Sequence, residues 1–306
     1  MIGIEELGEA DLERWLGVSN AVRPHDPLTP AMMIDWCSQA DSMLWLLATI
    51  DGVDAAVGHG IIGWHAEPGV AQIEVSVLEI WRGNGLGTAL LERLSVWALA
   101  GAESFADGSI DELDTESLAW ADRRGFTEVG RSSMLRLDLA AIPRPEIDAP
   151  DGIVITSWAE HPDAIRGMYD VACEAYPDIP GEESAEMAPF EKWRDNDLAG
   201  ASDRPEATFV AFAGAEAVGY AKLSLSEALP DTAFHDITGV KRAWRGRGIA
   251  GALKRAEIAW AIDAGYTMLK TFNEERNAPI RALNERHGYA VEPGTIRVRG
   301  TLSVVL

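Results

Sequence analysis

Gly246 and Gly248 alternate with Arg245 and Arg247 in the run V-K-R-A-W-R-G-R-G-I-A, residues 240–250. Ile237 and Val240 belong to a β-branched run that reads as the end of a strand, and residues 252–264 have the composition of a helix. A strand that turns through glycines into a helix points backbone N–H groups and the positive end of the helix dipole at one spot. Such a spot is an anion site suited to a pyrophosphate. The two glycines let the backbone approach the phosphates where a Cβ would intrude.

Spacing separates the loops that share this physics. A Walker loop ends in Gly-Lys-Ser/Thr, and Ile249-Ala250-Gly251 supplies none of it. The dinucleotide fingerprint matches Gly246, Gly248 and Gly251, but it belongs in the first β-α unit, with an acidic residue about 20 positions on. Here the polar groups after the next strand are Asn273, Glu274 and Asn277.

Arg245-x-x-Gly248-x-Ala250, preceded by Val240 and followed by Asn277 and Gly288-Tyr289, instead resembles the GNAT N-acetyltransferase superfamily. The resemblance implies acetyl-CoA as donor, with its pyrophosphate cradled by the loop. Carried onto this chain, the coenzyme A contacts are Thr238, Gly239, Val240, Arg245, Gly246, Arg247, Gly248, Ile249, Ala250 and Asn277. It further implies that the backbone amide at Val240 polarises the thioester carbonyl, and that a carboxylate on or near the preceding strand serves as general base. Asp236 and His235 are the local candidates; alternation along a strand puts them on opposite faces, so at most one enters the cleft. The acid for the leaving thiolate is commonly a Tyr seven residues after the Asn. This chain has Asn284 there, which leaves the acid open between water and Tyr289.

The same pattern occurs twice. Val77-x-x-x-Trp81-Arg82-Gly83-Asn84-Gly85-Leu86-Gly87 echoes the run from Val240 to Ala250, and one offset carries Leu90 onto Leu253, Trp97 onto Trp260, Asp114 onto Asn277 and Gly125-Phe126 onto Gly288-Tyr289. A repeat of this length means two copies of one domain. Val77, Arg82, Gly83, Gly85 and Gly87 are therefore coenzyme A candidates in the first copy, and Glu74 is its counterpart to the base. The expected architecture is α/β, a mixed sheet in each of two tandem acetyltransferase-like domains. Residues 1–140 form the first, 141–151 a stiff Pro-rich linker, and 152–306 the second.

Composition sets outer bounds. The 306 residues suit two domains, and 47% apolar content is that of a globular protein. A net charge of −23 argues against nucleic acid, whose binding relies on clustered Lys and Arg. No apolar run approaches the ~20 residues of a membrane span, and the first residues lack an export signal, so the cytoplasm is expected. Cys37 and Cys173 fall in separate halves without metal or redox spacing. A monomer or homodimer is expected, acting on the amine of a small molecule or of a peptide N-terminus.

In order, strands are expected at 2–6, 42–50, 55–64 and 70–80, and helices at 11–22, from Thr29 as cap, and at 86–100. The next strand should lie at 103–110, but that segment is acidic and short of β-formers, which suggests an eroded first copy. The second copy keeps its equivalent at 266–272, and the segment 176–200 is expected to overhang the acceptor pocket. Charge ranks the copies as well. Lys241, Arg242, Arg245, Arg247, Lys254 and Arg255 surround the second loop with no acid between 240 and 256, whereas Glu79 and Glu92 offset Arg82 and Arg93 around the first. An amide at Asn277 can donate to a cofactor where Asp114 would repel it. The second copy is thus expected to react and the first to be mainly structural. Two competing readings stand: a non-catalytic acyl-CoA sensor, and a nicotinamide oxidoreductase resting on the glycine pattern alone.

Overall fold

The computed structural model describes residues 1–63, 67–179 and 187–303. Trp64, expected at a strand end, and Pro180 and Gly181, expected over the acceptor pocket, lie outside the described residues. The chain forms two compact units, Met1–Arg131 with Gly294–Leu306, and Ser132–Pro293.

The first unit runs β1 (Ile2–Glu6), α1 (Leu12–Val22), α2 (Pro30–Gln39), β2 (Ser42–Ile50), β3 (Val53–Ile62), β4 (Val70–Val77), α3 (Leu86–Ala100), β5 (Phe105–Asp111), α4 (Thr115–Asp122) and the start of β6 (Thr127–Asp138). The second takes the rest of β6, then β7 (Ile153–Ser157), α5 (Ile165–Ala175), α6 (Phe190–Asp197), β8 (Thr208–Ala213), β9 (Glu216–Leu225), β10 (Thr232–Val240), α7 (Ile249–Asp263), β11 (Met268–Glu274), α8 (Ala278–Arg286) and the start of β12 (Ala290–Thr301). The repeat is visible in these bounds: the pairs Val53–Ile62 and Glu216–Leu225, Leu86–Ala100 and Ile249–Asp263, Phe105–Asp111 and Met268–Glu274, and Thr127–Asp138 and Ala290–Thr301 share a single offset at both ends.

Local physics sets many of the boundaries. Thr29 accepts from the Met32 amide at 3.2 Å and Pro30 opens α2, as a capped start requires. α3 presents Leu86, Leu90 and Leu94, one turn apart, to one face of the first unit's sheet. Trp15, Met33, Trp45 and Leu47 fill the other face under α1 and α2. In the second unit α7 covers one face with Ile249, Leu253 and Ala256, and α5 and α6 cover the other with Met168, Val171 and Trp193.

One expectation is corrected here. Residues 105–111 do form a strand, despite their acidity, because β12 supplies seven antiparallel partners from Thr295 to Thr301 and Arg299 clamps Asp107 at 2.6 and 2.9 Å. The compact units divide at 131 and 293. Strand pairing is the reason: Ser132–Asp138 of β6 pairs with β11 in the second unit, while the latter part of β12 completes the first.

Candidate active site

In the second unit β10 and β11 are parallel neighbours for three residues only, Thr232–Phe234 against Met268–Lys270. Thr271 Oγ1 donates to the His235 carbonyl at 3.2 Å where that pairing ends. A cleft of about 330 Å³ opens at this vertex, lined by Ser224, Phe234, His235, Asp236, Thr271 and Phe272. On its other side β10 pairs with β9, and the register shifts between His235 and Ile237. Asp236 is the extra residue of this β-bulge, a device that re-aims side chains. Simple alternation therefore breaks at Asp236. His235 faces α7, Ile237 packs with Met168 and Trp193 under α5 and α6, and Val240 returns to the α7 side. In the first unit β4 pairs with β3 in unbroken register from Val77 to Gln72.

At the far end of β10 the glycine turn forms as expected. Gly246 and Gly248 have φ of 74° and 87°, and Gly248 is the N-cap of α7, which starts at Ile249, earlier than the sequence suggested. An ideal Cβ at Gly246 would meet nothing within 4 Å, so the space above the turn is open. No side chain caps the helix, leaving the first-turn amides of Ile249, Ala250 and Gly251 for an incoming anion. Thr238, Gly239 and Val240 line the stretch of β10 past the end of its β11 pairing. Asn277 is the N-cap residue of α8, and its amide makes no capping hydrogen bond. These residues fit coenzyme A.

The charge ranking needs correction. Folding brings acids to the basic run that sequence proximity does not show. Arg242 and Arg245 share Asp178, at 2.8 and 2.5 Å, and Glu174 accepts from the Arg242 amide at 2.7 Å. These bonds hold the Asp178 carboxyl down at about 2. Lys241 pairs with Glu216 at 2.9 Å, Arg255 donates to the Asp148 carbonyl, and Lys254 is buried. Arg245 also turns back to the Val240 carbonyl at 2.9 Å, and Arg247 lies 4.7 Å over the Trp244 ring.

In the first unit Gly83 and Gly85 repeat the positive φ, at 80° and 86°, and α3 starts at Leu86; Gly87 lies within its first turn, below Val77 and Trp120. Arg82, however, is 3.3 Å from Asp114, which also caps α4 through the Ser117 amide. Glu74 is paired with Arg23 at 2.8 Å. Arg82 and Glu74, the charged candidates in this unit, are thus each held in an ion pair.

The two base candidates part company. Asp236 lies in the cleft with its side chain 45% exposed, 2.9 Å from Lys222 Nζ, and accepts from Ser224 Oγ at 2.9 Å. His235 is buried instead, with Nδ1 3.0 Å from Glu257 Oε2 and Nε2 hydrogen-bonded to the Tyr289 hydroxyl. Burial depresses its pKa, so it is neutral at pH 7. Lys254, whose ammonium lies 5.4 Å from the Tyr289 ring, is also lowered by burial, to about 8, against the attraction of Glu257. A lysine lowered on folding binds fewer protons in the native state than in the unfolded one between pH 8 and 10.5. Stability contributed by this site should therefore rise across that window, by about 3 kcal/mol. Calorimetry of the wild type and of the Lys254→Met/Glu257→Gln double variant checks this: the variant should lose the rise.

Asn284, at the place of the expected acid, is buried and donates to Asn273 Oδ1 at 2.7 Å. Sequence reading missed Lys222, buried between Asp203 at 2.6 Å and Asp236, and it missed Phe234 and Phe272 as cleft walls. The one available signal was Phe272 itself, a large apolar residue next to the polar Asn273-Glu274.

Comparison with known proteins agrees with this geometry. The model of the Acetyltransferase (GNAT) family matches residues 7–126 and again 165–289. No curated protein matches the chain by sequence. Among solved structures, a tandem GNAT protein from the clavulanic acid biosynthesis pathway is 17% identical, with a TM-score of 0.80 over 99% of both chains. A GCN5-related N-acetyltransferase from Sphaerobacter thermophilus is 20% identical, with a TM-score of 0.76 over 98% of this chain and 96% of the other. Among the described residues no helix is long and apolar enough to cross a membrane. With a glycine turn in each half and the family model matched twice, the chain belongs to the GNAT acetyltransferase family, as a tandem member.

Proposed function

We propose that the second unit transfers the acetyl group of acetyl-CoA directly to a primary amine in the cleft where β10 and β11 part. One observation carries this reading: a single strand, β10, leads from an exposed carboxylate in a cleft to an open anion turn. Acetyl-CoA supplies the thioester when bound. The first-turn amides of α7 hold its diphosphate, and the β10 amides beyond the β11 pairing, Val240 among them, donate to the carbonyl as charge builds there.

Asp236 does the proton work. A protonated amine gives one proton to the Asp236 carboxylate, which passes it to solvent. The neutral nitrogen then bonds to the acetyl carbon as the carbon–sulfur bond breaks. The nitrogen loses its surplus proton to water, and the departing thiolate gains one from water. Tyr289 is not the donor in this scheme, since its hydroxyl is buried against His235 and burial raises its pKa. His235 holds position from behind.

Release of free thiol in the presence of acetyl-CoA and a panel of amines tests the reading. Asp236→Asn should lower kcat/KM about 100-fold, remove the acid limb of its pH profile, and leave acetyl-CoA affinity unchanged. An unchanged profile would remove Asp236 as base. Acetyl-CoA binding with no thiol release from any amine would favour the non-catalytic sensor, a reading that the amide at Asn284 supports.

A further inference from the structure

Arg245 is the cation that the glycine motif offers to a phosphate, yet the fold engages it elsewhere. Each of its three guanidinium nitrogens donates within the protein: Nε to the Val240 carbonyl at 2.9 Å, Nη1 to Asp178 Oδ2 at 2.5 Å and Nη2 to the Glu174 carbonyl at 3.4 Å. Three places meet on this one side chain: the end of β10, the last turn of α5, and the turn Tyr176–Asp178 that follows it. Arg242 ties the same pieces a second time. Its Nε and Nη2 take both oxygens of Asp178, at 3.0 and 2.8 Å, and its backbone N–H donates to Glu174 Oε2 at 2.7 Å. A planar guanidinium fork suits such fixed, multiple contacts, which the point charge of a lysine does not reproduce.

The two elements are also pressed together. An ideal Cβ at Gly239 would lie 3.0 Å from Ala175 Cβ and 3.3 Å from Val171 Cγ1, so α5 runs against β10 one residue before Val240. From the same turn a second set of bonds leads back along the strand. The Tyr176 hydroxyl donates to Asp197 Oδ1, the Asp197 carbonyl accepts from Lys222 Nζ, and Lys222 lies 2.9 Å from Asp236. Residues 176–178 thus reach the anion turn through Asp178 and, through Tyr176, a group that holds the candidate base. In the first unit the corresponding Arg82 turns instead to Asp114 and Glu116 at the start of α4, at 3.3 and 3.7 Å.

We propose that Arg245 is a positioning residue rather than a phosphate ligand: with Asp178 it forms a strut that fastens the end of α5 to the anion turn and keeps the donor site in line with Asp236. The inference rests on the transferase reading above for the identity of the donor, and goes further by assigning these two side chains. Reacting groups must meet within a fraction of an ångström, yet the anion turn lies beyond the end of β10 while Asp236 lies within it. The two possible roles of Asp178 differ in sign. An acid that merely neutralised a phosphate-binding arginine would compete with the donor, and its removal would tighten binding. An acid that braces the turn weakens binding when it is removed.

Calorimetric titration with acetyl-CoA, together with thiol release from a panel of amines, decides between them. Asp178→Ala should weaken acetyl-CoA binding about tenfold, the equivalent of one charge-assisted hydrogen bond. Arg245→Lys, which keeps the charge and loses the fork, should weaken it nearly as much as Arg245→Ala does. At saturating acetyl-CoA, Asp178→Ala should still lower kcat about tenfold, because the brace toward Asp236 is lost with it, and Asp178→Glu should recover part of both losses. The Asp178 side chain is 36% exposed, so these variants remove little from the core. Glu216→Gln is the control: it removes the 2.9 Å ion pair with Lys241 beside the same turn and should change binding less than about twofold. Tighter or unchanged binding in Asp178→Ala, an unchanged kcat in that variant, or full affinity in Arg245→Lys would overturn the inference. A wild type that does not bind acetyl-CoA would overturn it together with the transferase reading. Binding that falls as stated in both variants, with no thiol released from any amine, would leave the strut standing and remove the transferase reading alone.

Discussion

Gly248→Val is expected to abolish thiol release and to weaken acetyl-CoA binding about a thousandfold. Gly248 has φ of 87°, a region where a β-branched residue is strained by about 1–3 kcal/mol. Relief of that strain would rotate the first-turn amides of α7 away from the anion. Two charge-assisted hydrogen bonds lost in this way are worth about 4 kcal/mol together, which is the thousandfold stated. Gly152→Val provides the control. Gly152 also has a positive φ, 77°, but lies in the turn before β7, so the variant should lose comparable stability and keep its ligand affinity. Calorimetric titration with acetyl-CoA decides the matter. Normal affinity in the Gly248 variant, combined with loss of binding in Gly85→Val, would move the working site to the first unit.

Removal of residues 294–306 is expected to destabilise the first unit by about 5 kcal/mol, or roughly 15 °C in its thermal transition. The deletion strips β5 of the seven partners from Thr295 to Thr301 and exposes its backbone groups. It removes Ile296 and Val298, both 6% exposed, whose burial is worth about 2 kcal/mol each. It also leaves Asp107, 9% exposed, without the Arg299 guanidinium. Hydrogen exchange over residues 105–111 should rise toward the unprotected rate. Unchanged protection there would show that β5 holds without β12, contrary to expectation.

These two sites also mark what could be read from the chain beforehand. The glycine turn, the Thr29 cap and the helix at 86–100 were legible because each depends on residues within a few positions of one another. The repeat was legible because it compares the chain with itself. The partner of β5 was not: an acidic segment becomes a strand through Arg299 and its neighbours, which are distant in sequence. The same holds for the loop charges. The run from Val240 to Ala256 has no acid of its own, yet Glu174 and Asp178 arrive from α5 and the turn after it. The bulge at Asp236 escaped because period-two alternation assumes an unbroken ladder, and it is Ile237, two residues after His235, that turns to the opposite face. Lys254, counted among the cations around the second loop, is buried under β10 with Glu257, His235 and Tyr289.

The exchange of β6 and β12 has a consequence for how the protein is made. The ribosome releases residues 1–131 long before Thr295–Thr301 exist, so the first unit spends most of synthesis with β5 as a bare edge. The second unit inherits β6 before any of its other strands are made and can begin to close earlier. Translation order thus runs against maturation order: the half made first is finished last.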